Sequence, residues 1–248
     1  MERLVHVTSN AMRIAGENQR LIASGLANQN TVGFKRDYGN QTSIYFDDAQ
    51  SFARVFPTRG EGTVDLDPGK IIATENPLDV SIEGAGFFAA QKDNGQTVLT
   101  RRGDFRVGPD RILRNGENVV MVGDAGPIQI PPYESIDVSR DGSVLIRAPG
   151  ADALTPPVAV GRLRLVNTPP ANVQKGADGL LRTRDGTVPP ADATVALNTK
   201  GLESSNVNSI DQMVEMLNSS RAFEINVKLL ATAKELDDQT ARLMRSDR

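Results

Sequence analysis

Cysteine and tryptophan are absent from the 248 residues, and there is one histidine, His6. Without cysteine there is no disulfide, no thiol nucleophile and no thiolate metal site. A lone histidine leaves most zinc centres and acid–base relays without their partners. No G-x-S-x-G elbow occurs, and His6 would be the only imidazole base for a serine, so a hydrolase is disfavoured. An excess of one charge is also missing: 28 Lys and Arg stand against 31 Asp and Glu, a net charge of −3. That balance gives no global pull toward nucleic acid or anionic lipid. The basic pair Arg101-Arg102 has one nearby aromatic, Phe105, too little for a nucleic-acid surface. No run of about 18 apolar residues is present, so membrane insertion is not expected. The first twenty residues carry no apolar block of signal-peptide type. The expectation is a chain that stays in the cytosol or leaves by a route that reads no cleavable signal.

Helix breakers are missing from both ends. All 14 prolines fall between Pro57 and Pro190, and 17 of the 22 glycines fall between Gly60 and Gly186. From Leu202 onward there is neither, and before Gly33 only Gly16 and Gly25 interrupt. Pro and Gly are costly inside helices and useful in turns, so the pattern reads as helix, turn-rich β body, helix. Leu4, Val7, Ala11, Ile14 and Leu21 make a narrow seam at helical spacing, with Asn18 inside it. Ser209-Ile210-Asp211-Gln212 has the form of a capping box. Val207, Ile210, Val214 and Leu217 share one face, and Ala222, Ile225, Leu229 and Leu236 follow on a shifted one. A helix from Ile210 to about Arg245 would run roughly 50 Å, long for a globular domain. Helices of this kind either pack along partner subunits or brace their own body. The second reading leaves room for a soluble β-domain enzyme or ligand-binding protein, which a cleft with converging carboxylates would favour.

Short strand-like runs fill the middle, separated by turn signals such as Asp93-Asn94-Gly95, Asn115-Gly116 and Asp141-Gly142. No helical stretches alternate with them, which predicts an antiparallel, partly barrel-like body rather than βαβ units. Gly84-Ala85-Gly86 begins like a dinucleotide loop, but Ala89 stands where the third glycine is required and a strand follows. A tight hairpin is the reading preferred. Asp65-Leu66-Asp67 and Asp141-Gly142-Ser143 lack the ladder of oxygens that a calcium loop needs.

Several blocks resemble the bacterial flagellar rod and hook family. Leu26-Ala27-Asn28-Gln29-Asn30-Thr31-Val32-Gly33-Phe34-Lys35 is similar to its N-terminal signature, with Ala27, Asn28, Asn30, Thr31, Gly33 and Phe34 as motif positions. Ser24 and Gly25 stand where the family has two asparagines. Ile82 to Phe88 resembles the family's Gly-x-Gly-Phe-Phe strand through Gly84, Gly86, Phe87 and Phe88. Leu99 to Phe105 is similar to its Thr-Arg-x-Gly-x-Phe run. Arg111 occupies a position that is often glycine. Leu202-Glu203-Ser204-Ser205-Asn206-Val207-Asn208 and Arg221-Ala222-Phe223-Glu224-Ile225-Asn226 complete the series in order. Within the family, the length and the Met1-Glu2-Arg3-Leu4 start are more similar to proximal than to distal rod members.

The resemblance implies an α+β fold whose N- and C-terminal helices pair as a coiled coil lining a hollow tube, with the β-rich domain outside. The expected divisions are 1–35 and 198–248 for the axial helices, 36–75 for an extended connection and 76–197 for the β-rich domain. The expected subunit interface is Leu4, Val7, Ala11, Ile14, Leu21, Val207, Ile210, Val214, Leu217, Ala222, Ile225, Leu229 and Leu236. Implied partners are neighbouring proximal and distal rod proteins and the flagellar type III export apparatus. The implied place is the periplasmic rod of the basal body, reached without a cleaved signal. No catalysis, metal, cofactor, small-molecule substrate or nucleic acid is implied.

Overall fold

The structure, a computed structural model, describes the backbone of residues 2–39, 41–45, 55–59, 63–152, 155–176 and 178–246. Side chains are described for 8–39, 63–152, 155–176, 178–236 and 239. The chain forms two compact units. One gathers residues 1–27, 37–63 and 208–248; the other gathers residues 28–36 and 64–207.

The first unit holds helix α1, Glu2–Ala27, helix α2, Ser209–Ser246, and an antiparallel pair of strands, Gln41–Tyr45 with Val55–Arg59. Both helices run where Gly and Pro are sparse or missing, as their propensities require. The Ser219 hydroxyl donates to the Ala15 carbonyl at 3.3 Å, so the two helices touch.

The second unit is an antiparallel β structure. Its main sheet runs in the order 173–175, 181–183, 97–100, 87–91, 120–123, 113–115, 105–107. The strand Phe87–Gln91 is buried on both faces. Side chains alternate across a strand, so Phe88 and Ala90 enter one core cluster with Leu113 and Met121, while Phe87 and Ala89 enter another with Leu99 and Val173. Phe88 meets the edge of Phe105 with ring centroids 5.2 Å apart. A three-stranded sheet of 135–138, 143–147 and 158–162 and the pair 80–83 with 196–199 add apolar faces to the first cluster. Arg111, at the position often occupied by glycine, adopts a left-handed backbone with φ of 60°.

Two expectations need correction here. The fold class was expected to be α+β with terminal helices pairing as a coiled coil around a partly barrel-like domain. Instead the chain is β-rich with two helices among the described residues, and the expected seams do not meet. Ile210, Val214, Leu217, Ala222, Ile225, Leu229 and Leu236 all stand exposed on α2. Among the described residues the α2 side chains that are covered are Gln212 and Ala233, with Ser209, Met216, Ser219, Ser220, Asn226 and Leu230 half-covered. A coiled coil buries its apolar positions against its partner, and this helix turns them outward. The main sheet is also open, ending at 173–175 and 105–107 rather than closing on itself. The second correction concerns Gly84-Ala85-Gly86. The strands on either side pair with different neighbours, 80–83 with 196–199 and 87–91 with 97–100, so this turn links two sheets and is not a hairpin.

Candidate assembly surface and ionic junction

Helix α2 begins one residue earlier than the expected capping box requires. The Asn208 side-chain oxygen accepts from the Ile210 amide at 3.0 Å, and the Asn208 carbonyl accepts from the Gln212 amide. Asn208 is therefore the cap, and the Gln212 side chain donates to Glu215 instead. From this start the helix runs about 57 Å at 1.5 Å per residue. Its outward side carries Ile210, Met213, Val214, Leu217, Ile225 and Leu229, with Ile210 71% exposed, Leu217 52% and Ile225 58%. Burying an aliphatic side chain fully is worth about 1.5–3 kcal/mol, so half-exposed residues each forgo roughly half of that. Exposed apolar side chains in such number along one helix are the surface to weigh as a site of packing by another chain.

On α1, Ala11, Ile14 and Leu21 are half-buried, and the side chains of Leu4 and Val7 lie outside the described residues. Val207 is half-buried just before α2. Ala27 ends α1, Asn30 is exposed, and Thr31 donates its amide to the Asn28 carbonyl and its hydroxyl to the Asn28 side chain, both at 3.1 Å. Gly84 and Gly86 shape the turn between sheets, both with positive φ, and Phe87 and Phe88 are buried.

Residues 28–36 form a strap on the β unit. Gly33 has φ of 65°, and a Cβ there would lie 2.5 Å from the Arg101 carbonyl carbon and the Arg102 nitrogen. Glycine takes that backbone without strain, and only glycine permits that approach. The Gly33 amide donates to the Glu203 carbonyl at 2.7 Å, and the Asn206 amide donates to Phe34. The Lys35 ammonium donates to Glu203 Oε1 at 2.6 Å and to the Asp67 carbonyl at 2.7 Å. Arg101 meets the other Glu203 oxygen at 3.2 Å and the Gly84 carbonyl at 2.6 Å. All three charged side chains are buried: Lys35 is 1% exposed, Glu203 2% and Arg101 3%. Burial pushes the pKa of Lys35 and of Arg101 down, against the pull of Glu203, which raises both. Lys175 closes the strap from outside, with its ammonium on the Lys35 carbonyl at 2.8 Å and 3.9 Å from the centre of the Phe34 ring.

Sequence reasoning missed this junction. Lys35, Arg101 and Glu203 lay inside the motif blocks, and the one signal was charged residues embedded among turn and strand residues. Arg101 was weighed only as part of a short basic pair.

A cleft of about 640 Å³ in the same unit is walled by Leu66, Pro68, Phe87 and Pro169 and carries the carboxylates Asp67 and Asp192. Among the described residues no three His, Asp or Glu side chains form a group that could hold a metal ion. No described helix is long and apolar enough to cross a membrane.

Two family models match the chain. Residues 81–146 match the flagellar hook protein FlgE/F/G D1 domain, and residues 199–243 match the C-terminal region of flagellar basal body rod FlgEFG proteins. The chain is 32% identical to the flagellar basal-body rod protein FlgF of Escherichia coli K12 over 98% of its own length and 97% of that protein. It is 29% identical to the FlgF protein of Salmonella typhimurium LT2, covering 98% and 99% of the two chains. It is also 29% identical to a FlgG rod protein of Buchnera aphidicola, covering 91% and 94%.

Proposed function

Because the chain belongs to the family of flagellar basal-body rod proteins, we propose that it is a structural subunit of the rod of the bacterial flagellar basal body. The observation that carries the reading is the row of exposed apolar side chains along α2, from Ile210 to Leu236. In the rod these side chains are covered by neighbouring subunits, proximal and distal rod proteins alike. The subunit is of the proximal, FlgF-like kind. It leaves the cell through the flagellar type III export apparatus, takes its place in a hollow shaft, and helps pass torque from motor to hook. Chemistry on a substrate has no part in this function.

Leu217→Asp and Ile225→Asp test it. Both side chains are more than half exposed, so a carboxylate there is solvated in the free subunit. In the rod the same carboxylate is desolvated without a partner, at a cost of several kcal/mol. Both variants should keep the monomer's circular dichroism and denaturation midpoint, yet fail to restore swimming and be missing from purified basal bodies. Normal incorporation of both would overturn the assignment of this surface.

A further inference from the structure

Glu203 is a carboxylate shared by two buried cations that come from distant parts of the chain, 168 and 102 residues away. We infer that Glu203 is a latch: its carboxylate, delivered by the strand Gly201–Glu203, is the condition for the 28–36 strap to dock on the β unit.

Charge arithmetic carries the argument. Lys35 and Arg101 are both buried and repel one another, and each loses the stabilisation of water. Besides Glu203, Lys35 donates to the Asp67 carbonyl and feels the Asp65 carboxylate, and Arg101 donates to the Gly84 carbonyl and lies 5.5 Å from the centre of the Phe87 ring. Of these groups, Glu203 is the carboxylate that hydrogen-bonds both desolvated cations, and its pull on Lys35 is larger than that of Asp65. The same residue also fastens the backbone on both sides. Its carbonyl accepts from Gly33, and its Oε1 accepts from the Gly69 amide at 3.0 Å. Next in line, Asn206 Oδ1 accepts from the Arg36 amide at 2.8 Å, and its Nδ2 donates to the Asp65 carbonyl at 3.0 Å. The strap therefore gains its deepest contacts only after residues 201–206 have joined the unit. Until then Lys35 is better placed in water, and the segment that follows α1 is left undocked. The cluster makes one late-arriving strand decide the order of an early segment.

The latch is a property of the monomer, so its test stands apart from the rod reading. Hydrogen exchange is measured on the full chain carrying Glu203→Gln, and on Lys35→Met/Glu203→Gln. In the single variant, amides in 28–36 should exchange about a hundredfold faster or more, while those of 87–91 and 97–100 keep their protection. In the double variant Lys35, the cation the strap itself carries, is gone while Arg101 stays on the β unit, and a large part of the strap's protection should return. Three results would overturn the inference. They are an unchanged strap in Glu203→Gln, a uniform rise through the whole sheet, and no recovery in the double variant.

Discussion

Replacing Gly33 by alanine asks a methyl group to occupy space already held by backbone. The added Cβ would lie 2.5 Å from both the Arg101 carbonyl carbon and the Arg102 nitrogen. No rotamer relieves such a contact, because neither neighbour is a side chain. The left-handed backbone at φ of 65° adds roughly 1–2 kcal/mol for an L-residue. Shifting packed backbone to make room adds about 1–3 kcal/mol. Alanine returns about 0.4–1 kcal/mol by stiffening the unfolded chain. The net expectation is a loss of about 1–5 kcal/mol. The strap has a second option, which is to leave the β unit, and that limits the loss to the free energy of docking. Urea denaturation of Gly33→Ala reads the first outcome as a lower midpoint, and hydrogen exchange of residues 28–36 reads the second. A variant with both the wild-type midpoint and wild-type strap protection would refute the close approach.

Arg111→Gly should raise stability by up to about 1 kcal/mol, since it removes a left-handed arginine; a fall in the denaturation midpoint would contradict this. At Asp178, the Arg182 guanidinium, with help from Lys92, holds the carboxyl well below the usual carboxylate range. Its folded pKa is depressed, so its contribution is complete above the unfolded value of about 3.9 and fades as the pH falls through the folded one. Asp178→Asn should lower the urea midpoint at neutral pH and flatten its fall below about pH 4; an unchanged acid slope would show the pair to be worth nothing.

The order helix, β body, helix was readable from the placement of Pro and Gly alone, because their backbone costs are local and need no knowledge of the fold. The sequence also picked out the apolar positions of α2 by their helical spacing. It did not say which way they face. Helical spacing gives the same stripe whether a helix buries it at home or turns it outward, and here Gln212 is covered while Leu217 is not. The cap was misplaced by one residue because Asn208 and Ser209 both suit that position, and only the Ile210 and Gln212 amides decide between them. Gly33 stood out as a motif position, though its duty of admitting the Arg101 backbone did not.

Sequence alone determined the family, the composition that removes thiol chemistry and most metal chemistry, and the division into helix, turn-rich middle and helix. Tertiary structure alone decided the outward face of α2, the separate pairings on either side of Gly84–Gly86, and the junction of Lys35, Arg101 and Glu203. The reason is range. Propensity, capping and turn chemistry act over a few residues and leave their mark in any short window. A buried carboxylate that neutralises cations 168 and 102 residues away has no local signature, and it exists only once the intervening strands have brought the three together.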